Sequence, residues 1–368
     1  MPATPAATTV LHYLGYDEDR GGTVSVVRSL AATGRFDCVL GMNRGAVQRA
    51  APALTMLELP HVDGERIDPR NAWRACAVAR EVRKWLRAGP RRVFHGHSRA
   101  GLLVALWLGA MGERRAVASV HCYGRRRGFY RWAARRLGER IVWLTPEMKR
   151  YYGVGAVDWN GCIPNSLAAK PRAARLRPVA AGRLTIGGAG MLVGWKRWRL
   201  MLEAMALLPD AVRGRIEFRH VGAPGHTAES TACARELLTT TKRLDLESQV
   251  QWLGWQPSTQ PLLEQVDALL VASLLEPFSM SALEALFAGV PVIAADEGGP
   301  RDFVREGASG WFFRSGDPRD LARVLALLLE TDALARVDIR PQDLARFDAT
   351  AVGGQWESVY ARLAGSGD

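Results

Sequence analysis

The chain has 368 residues, of which 48% are hydrophobic and 23% charged, which is globular composition with enough apolar material for two cores. Five scattered cysteines without a CxxC pair argue against a disulfide framework or a zinc knuckle. The first residues lack the basic region of a signal peptide, and the apolar run 100–111 is shorter than the roughly 20 residues that span a bilayer. We therefore expect a cytoplasmic protein.

The net charge of +12 is concentrated between Arg70 and Arg150, where 20 Arg or Lys residues stand against 4 Asp or Glu residues. Such a surplus attracts nucleic acid, anionic lipid headgroups or a phosphorylated acceptor. Residues 71–88 predict a basic amphipathic helix with Trp73 and Trp85, and residues 124–132 mix arginines with aromatic residues. This pattern favours an anionic membrane surface. The alternatives are a solvated charged face over core tryptophans and, less favoured because no recognised motif accompanies the charge, a nucleic-acid surface.

Short apolar runs alternate with amphipathic segments in the first half of the chain. The predicted strands are 10–14, 38–42, 93–95, 117–120 and 141–144, and a further strand is expected before the loop 163–166. The predicted helices are 24–32, 71–88, 102–111 and 131–137. The glycine-containing loop 17–22 joins the first strand to the first helix, as in a βα unit.

The same alternation resumes after residues 168–181, which are rich in Ala, Pro and Arg and have no periodicity. The predicted strands are 184–190, 215–221, 250–253, 268–272 and 290–295, and the predicted helices are 198–208, 228–239 and 279–288. We therefore predict an α/β protein with two Rossmann-like domains, 1–167 and 183–345, joined by a linker, 168–182. A C-terminal helix within 346–368 is expected to pack back on the first domain.

The stretch 273–293 (SLLEPFSMSALEALFAGVPVI) carries two glutamates, Glu276 and Glu284, separated by seven residues. Pro277 and Ser279 are helix-start signals, and Gly289 is a stop. The N-terminus of such a helix binds phosphate through free N–H groups and its dipole. Two acceptor-only carboxylates beside it suit a nucleotide sugar, one facing the sugar and one the ribose hydroxyls. The alternative is a pair of solvated helix glutamates.

This stretch resembles the Glu-x7-Glu signature of glycosyltransferase family 4, and the resemblance continues through Gly298-Gly299, residues 306–310 (EGASG) and the helix 318–328. It implies the GT-B fold, with two Rossmann-like domains whose parallel sheets face each other across a cleft. It also implies a retaining transferase that moves a hexose-type sugar from a UDP- or GDP-sugar to a glycan or lipid-linked acceptor. The expected setting is cell-surface polysaccharide or lipopolysaccharide synthesis at the inner face of a membrane.

The resemblance assigns roles to residues of the second half. Glu276 would face the donor sugar as a catalytic residue, and Glu284 would contact the ribose. The backbone amides of Phe278, Ser279 and Met280 would hold the distal phosphate.

The family also has an Arg and a Lys that pair with the diphosphate, in a stretch that corresponds to residues 190–196 here. Lys196 matches the lysine and is predicted to be both catalytic and donor-binding. Gly190, at the start of this stretch, is a further predicted donor-binding residue. Met191 occupies the arginine position, and methionine cannot pair with phosphate. Arg197 or Arg199 are candidates to compensate, or the site is weaker or the donor unusual.

In the first half, Gly21 and Gly22 resemble the glycine loop of the family, although a simple turn is an alternative. His121 matches the histidine near the reacting sugar and is predicted to be catalytic. His95 and His97 are further candidates for acceptor contacts, with a metal site as a less favoured alternative.

No metal and no cofactor other than the nucleotide sugar are expected, because a helix dipole and Lys196 would neutralise the leaving diphosphate. The Asp-x-Asp at Asp17 and Asp19 lies too near the start of the chain for a metal-dependent transferase, and we interpret it as a solvated loop.

Two further functions remain open at this point. A sugar-nucleotide epimerase shares the two-domain fold, and an inactive nucleotide-sugar-binding subunit is kept open by Met191. A dinucleotide dehydrogenase is disfavoured, since no G-x-G-x-x-G follows a predicted strand.

Overall fold

The computed structural model describes residues 7–18, 22–47, 54–174, 182–225 and 227–365. The chain forms two compact units. The first contains Met1–Ala168 and Arg346–Asp368, and the second contains Ala169–Ala345. Residues 175–181 of the predicted linker lie outside the described residues.

The first unit is built on a six-stranded parallel sheet with the strand order β3-β2-β1-β4-β5-β6. Its strands are β1 (Thr9–Tyr13), β2 (Asp37–Asn43), β3 (Thr55–Leu59), β4 (Arg92–Gly96), β5 (Ala116–Val120) and β6 (Ile141–Trp143). Its helices are α1 (Gly22–Ala31), α2 (Pro69–Arg87), α3 (Arg99–Ala110), α4 (Arg127–Leu137) and α5 (Pro146–Tyr152).

The second unit repeats this plan with the strand order β12-β11-β10-β7-β8-β9, again all parallel. Its strands are β7 (Leu184–Ala189), β8 (Ile216–Val221), β9 (Val250–Trp252), β10 (Ala268–Val271), β11 (Val292–Ala295) and β12 (Gly310–Phe313). Its helices are α6 (Arg199–Leu207), α7 (Asp210–Arg213), α8 (Ala228–Arg243), α9 (Gln260–Leu263), α10 (Met280–Phe287), α11 (Pro318–Glu330) and α12 (Pro341–Leu344).

Local sequence explains why these elements form. The central strands are short, almost uninterrupted apolar runs such as AVASV in β5 and ALLV in β10, and every residue of both is buried. Runs of this kind suit a parallel sheet that is covered on both faces. Helix starts carry capping residues. For example, Asp68 accepts a hydrogen bond from the Asn71 amide at 2.8 Å and precedes a proline at the first position of α2.

The predicted alternation of strands and helices into two parallel sheets is confirmed. Strands β3 and β12 and the short helices α5, α7, α9 and α12 escaped the sequence analysis. The strand expected before residue 163 is wrong, because Cys162 makes an isolated bridge to Trp143 and not a full strand. Strand β3 lies at the sheet edge, where its pattern TMLEL is mixed and only its last residue is buried.

The last helix, α13 (Ala349–Gly365), belongs to the first unit and packs against α1 and β4. Two of its aromatic residues, Trp356 and Tyr360, are buried there. Trp356 lies 4.3 Å from the ring of His95, measured between centroids, and the Tyr360 hydroxyl is 2.7 Å from Nδ1 of His95. The end of the chain therefore completes the core beneath β4.

No helix among the described residues is both long enough and apolar enough to cross a membrane.

The core of the second unit contains a histidine without hydrogen bonds. His220, on β8, is fully buried, and neither ring nitrogen has a partner among the described residues. The rings of Trp198 and Trp252 lie 4.5 and 5.2 Å from it. Burial and, to a smaller extent, the charge of Lys196 lower the pKa of His220 from 6.5 to about 3. The imidazole is therefore neutral in the folded protein.

Replacing His220 by leucine should reduce the acid sensitivity of the fold. Below pH 6.5 the unfolded chain binds a proton at His220 that the folded protein does not bind, so acidification destabilises the fold. Between pH 7.5 and 5.5 this one residue contributes a loss of about 1.4 kcal/mol in unfolding free energy. Urea unfolding at both pH values should show a loss smaller by that amount in His220→Leu. An equal loss in both proteins would contradict the neutral, buried assignment.

Candidate functional site

The loop between β10 and α10, residues 272–279, brings the first predicted carboxylate to the start of a helix. Leu275 and Ser279 adopt the left-handed region, with φ of 47° and 73°, which non-glycine residues rarely occupy. Ser279 nevertheless caps α10, because its hydroxyl accepts a hydrogen bond from the Ala282 amide at 3.2 Å. Surrounding contacts must therefore stabilise this loop conformation.

Two glycines after β11 supply such contacts. A Cβ atom on Gly298 would lie 2.5 Å from the carbonyl oxygen of Glu276, and one on Gly299 would lie 2.5 Å from that of Pro277. The Gly299 amide donates to the Glu276 carbonyl at 2.8 Å. Only glycine permits this approach of two backbones, and the resulting contact fixes the position of Glu276.

Lys196 and Glu276 form a largely buried ion pair. Lys196 Nζ lies 2.6 Å from Glu276 Oε2, and the two side chains are only 13% and 9% exposed. Lys196 ends a 3-10 turn, Gly194–Lys196, and the Leu274 amide donates to the carbonyl of Trp195 at 2.8 Å. The turn and the loop are thus joined, and each buried charge compensates the other.

Glu284 lies on α10 itself, about one turn beyond its first residue, Met280. Its Oε2 accepts a hydrogen bond from the Thr259 hydroxyl at 2.7 Å. Burial raises the pKa of Glu284, while the Thr259 hydrogen bond opposes this shift. Thr259 precedes α9 and was not singled out by sequence reasoning, since nothing in its local pattern marks it.

The predicted glycine Gly190 lies at the carboxyl end of β7, next to the end of β8. Its φ is 148°, and that of Gly222 is 143°. A Cβ atom on Gly222 would come within 1.9 Å of the Gly190 carbonyl oxygen, and one on Gly190 would lie 3.5 Å from Cε of Lys196. Gly190 and Lys196 are therefore neighbours at the strand ends, where ligands bind in parallel sheets.

The two candidate replacements for the missing arginine, Arg197 and Arg199, both already form hydrogen bonds or ion pairs with other side chains. Arg197 donates to the Ser315 hydroxyl at 2.8 Å and lies 3.7 Å from Glu297. Arg199 pairs with Glu203 and Glu236. Met191 is 51% exposed, and none of these contacts brings a second cation to Lys196. A contact between Arg197 and the donor stays a prediction. The ion pairs of Arg199 with Glu203 of α6 and Glu236 of α8 disfavour Arg199 as the substitute for the missing arginine.

The first unit has a cavity of about 50 Å³ at the carboxyl ends of β4 and β5. Its lining includes His97, His121 and an ion pair in which Arg99 Nη1 lies 2.6 Å from Glu65 Oε2. Tyr16, Thr23, Ser98, Cys122 and Tyr130 also line it. Burial lowers the pKa of His121 to about 4, so this imidazole is neutral at neutral pH.

Two more histidines, His12 and His95, lie next to His97 and outside the cavity lining. Nδ1 of His12 is 2.9 Å from Nε2 of His97, and Nδ1 of His97 is 3.2 Å from Nε2 of His121. Nε2 of His95 is 2.7 Å from the Ser119 hydroxyl. His95 is fully buried and does not line the cavity, so the acceptor contact that the sequence suggested is not available to it.

The remaining predicted residues have separate positions. Gly22 is exposed at the start of α1, and Gly21 and Asp19 lie outside the described residues. Asp17 is exposed and accepts a hydrogen bond from Asn43 at 2.8 Å, as expected for a solvated loop. The backbone amides of Phe278, Ser279 and Met280 lie at the start of α10, as predicted.

Comparison with known proteins places these sites in context. Residues 178–342 match the family model described as Glycosyl transferases group 1. The lipopolysaccharide 1,6-galactosyltransferase of Salmonella typhimurium is 33% identical over 112 residues, which cover 29% of this chain and 31% of that protein. A D-inositol 3-phosphate glycosyltransferase of Nocardia farcinica is 36% identical over 166 residues, which cover 44% of this chain and 36% of that protein. The alignments thus span about a third of the length of these curated relatives.

Solved structures match nearly the whole chain. HepE of Anabaena in complex with UDP-glucose has a TM-score of 0.73 at 18% identity, covering 96% of this chain and 99% of that one. A sucrose-phosphate synthase of Thermosynechococcus elongatus has a TM-score of 0.74 at 16% identity, and the match covers 98% of this chain and 100% of that one. The chain therefore has the GT-B fold, and its residues 178–342 carry the sequence pattern of the group 1 glycosyl transferases.

Proposed function

We propose that this protein is a retaining glycosyltransferase that moves a hexose-type sugar from a UDP- or GDP-sugar to a glycan or lipid-linked acceptor. The observation that carries the proposal is the buried Lys196–Glu276 pair at the start of α10, within the family match. It joins a cation for the diphosphate to a carboxylate for the sugar. The solved UDP-glucose complex of a protein with this fold supports a uridine nucleotide as the first candidate.

The geometry around α10 supports the following arrangement of the donor site. The distal phosphate binds the amides of Phe278, Ser279 and Met280, where the positive end of the helix dipole favours an anion. Lys196 turns from Glu276 towards the diphosphate and neutralises the charge that develops on the leaving group. Glu276 then accepts hydrogen bonds from the sugar hydroxyls, and Glu284 accepts them from the ribose.

The reaction breaks the bond between the anomeric carbon and the diphosphate and forms one to an acceptor hydroxyl oxygen. An oxocarbenium-like transition state develops positive charge on the sugar and negative charge on the diphosphate. The helix dipole and Lys196 stabilise that negative charge, and the proposal requires no metal ion and no further cofactor. We assign no nucleophile.

The acceptor is proposed to bind in the cavity of the first unit, where His121, Arg99 and Glu65 supply polar groups. The relatives named above include a lipopolysaccharide galactosyltransferase, which supports a cell-surface glycan as the acceptor class. The second candidate function is an inactive nucleotide-sugar-binding subunit. Met191 favours it, because Lys196 lacks the expected arginine beside it.

Nucleotide binding should depend on Glu284, and turnover on Glu276. UDP should raise the melting temperature of the protein, because a ligand that binds only the folded state stabilises it. Glu284→Gln should lose most of this shift, whereas Glu330→Gln, an exposed change on α11, should keep it. GDP, ADP, dTDP and CMP serve as comparison nucleotides.

Glu276→Gln should keep the nucleotide shift and lower the release of UDP from UDP-glucose about 100-fold or more, as expected for loss of a group that stabilises the transition state. Normal turnover in Glu276→Gln would refute the assigned mechanism. Nucleotide binding by the wild-type protein without turnover of any donor would favour the binding subunit.

The contact of Gly298 with the β10–α10 loop predicts that alanine at this position impairs nucleotide binding. The added Cβ must displace the Glu276 carbonyl, and a positive φ adds a destabilisation of more than about 1 kcal/mol. Gly307→Ala is the matched control, because Gly307 has φ of 72° but no atom near the added Cβ. Thermal melts with and without UDP should show the nucleotide shift reduced in Gly298→Ala only. Equal shifts in both variants would contradict a role for the contact.

A basic face of the first unit is proposed to bind an anionic membrane surface. Helices α2, α3 and α4 pack side by side and expose Trp73, Trp107 and Trp132, which are 76%, 37% and 46% exposed. Arg125, Arg126, Arg131, Arg135 and Arg136 are exposed around α4. Exposed tryptophans with arginines suit the headgroup region of an anionic bilayer. The other predicted interfacial residue, Trp85, is half-buried and covered by Arg92.

Vesicle sedimentation tests this surface. The protein should bind vesicles containing phosphatidylglycerol more strongly than neutral phosphatidylcholine vesicles, and added salt should weaken the binding because it screens the charges. The double variant Trp73→Ala/Trp132→Ala should bind several-fold less. Trp255→Ala, an equally exposed tryptophan of the second unit, is the matched control. Equal binding to both vesicle types would contradict the proposal.

A further inference from the structure

A continuous row of side chains crosses the sheet of the first unit and ends at its cavity. It consists of Cys38, His12, His97 and His121, and we call it the imidazole row. The four residues lie on or directly after β2, β1, β4 and β5, which are consecutive neighbours in the sheet. Cys38 Sγ is 3.5 Å from Nε2 of His12, and the two contacts between imidazoles are 2.9 and 3.2 Å.

The imidazoles of the row are neutral. Burial lowers the pKa of His12 to about 3 and that of His97 well below its usual range. The neighbouring ring of His95 is held by Ser119 and Tyr360, so a charge anywhere in the row would lie next to other buried imidazoles. A neutral imidazole has one N–H donor and one nitrogen acceptor.

Neutrality makes the row directional. His12 and His97 use both ring nitrogens within the row, so each donates a hydrogen bond on one side and accepts one on the other. The position of one proton therefore fixes the positions of all the others. The row has two arrangements, with the N–H groups pointing either towards Cys38 or towards His121.

Cys38 favours one of these directions. Burial, together with the charge of Asp37, raises the pKa of Cys38 to about 12, so this residue is a thiol. Sulfur is a weak acceptor, whereas the unprotonated imidazole nitrogen is a good one. The thiol therefore donates to Nε2 of His12, His12 Nδ1–H donates to His97, and His97 Nδ1–H donates to Nε2 of His121.

We propose that Cys38, His12 and His97 are positioning residues that hold His121 in its Nδ1–H tautomer and so present a hydrogen-bond donor to the cavity. Among the described residues Nδ1 of His121 makes no hydrogen bond, and His121 lines the cavity. The inference rests on the proposed function in one respect, which is that the ligand of Nδ1–H is a hydroxyl oxygen of a bound sugar. In this tautomer His121 orients the sugar and does not accept its proton.

A metal site is the competing interpretation of these histidines. Nitrogens of His12, His95 and His97 lie within 4.8 Å of one another. A metal would have to displace the hydrogen bond between His12 and His97 and also free one nitrogen of His95 from Ser119 or Tyr360. The existing hydrogen bonds therefore favour the row, and metal binding becomes an outcome of the test.

The test reads the tautomer directly. Protein labelled with ¹⁵N-histidine gives long-range ¹H–¹⁵N spectra in which protonated and unprotonated ring nitrogens resonate far apart, and the His121→Asn spectrum assigns the signals. We expect Nδ1 of His121 to be protonated. In Cys38→Ala the row loses its terminal donor, and His121 should shift towards the Nε2–H tautomer. Cys38→Ser restores a hydroxyl donor and should restore Nδ1–H, while Cys76→Ala, a cysteine of α2 outside the row, should change nothing.

Three results would overturn the proposal. These are an Nε2–H tautomer in the wild-type protein, a tautomer that is the same in Cys38→Ala and wild type, or stoichiometric zinc bound to His12, His95 and His97 in the purified or Zn²⁺-titrated protein. The spectra are recorded without the sugar donor or the acceptor substrate. They therefore test the positioning role separately from the proposed transferase function. If His121 has the Nδ1–H tautomer but UDP-glucose is not turned over, only the proposed function is rejected. If UDP-glucose is turned over but His121 has the Nε2–H tautomer, only the positioning role is rejected.

Discussion

The approach of Gly298 and Gly299 to the β10–α10 loop is the contact on which the second unit's site depends. It places two backbones closer than any side chain allows and anchors the carbonyl of Glu276. The loop can then carry two residues with positive φ, because their strain is offset by fixed neighbours. The Lys196–Glu276 pair and the start of α10 both follow from this anchor. A flexible loop could not keep a cation, a carboxylate and helix amides in one small volume.

The two units bury their polar groups in opposite ways. The second unit buries Lys196 and Glu276 as opposite charges that compensate each other. The first unit buries a group of neutral imidazoles, joined to one another and to Ser119, Tyr360 and Cys38 by hydrogen bonds. In the charged pair, Lys196 can exchange the carboxylate of Glu276 for a diphosphate, because both are anions. A neutral hydrogen-bonded row instead transmits the position of a proton, which suits recognition of uncharged sugar hydroxyls.

The C-terminal helix connects these features to the fold as a whole. Helix α13 returns to the first unit, and its Tyr360 and Trp356 complete the surroundings of His95. The histidines of β1 and β4 are thus partly enclosed by Trp356 and Tyr360 of this helix. Their burial, and hence their neutrality, depends on that return.

The sequence alone determined the alternation of strands and helices, the start of α10 and the places of Glu276 and Glu284, because periodicity and capping residues act within a few residues of the chain. Edge strand β3 was missed because a half-exposed strand lacks a continuous apolar run. Only the tertiary structure decided that Lys196 reaches Glu276, that Thr259 meets Glu284 and that four strands align Cys38, His12, His97 and His121. These partners lie 24 to 85 residues apart, and strand order and crossovers, which local spacing does not encode, bring them together.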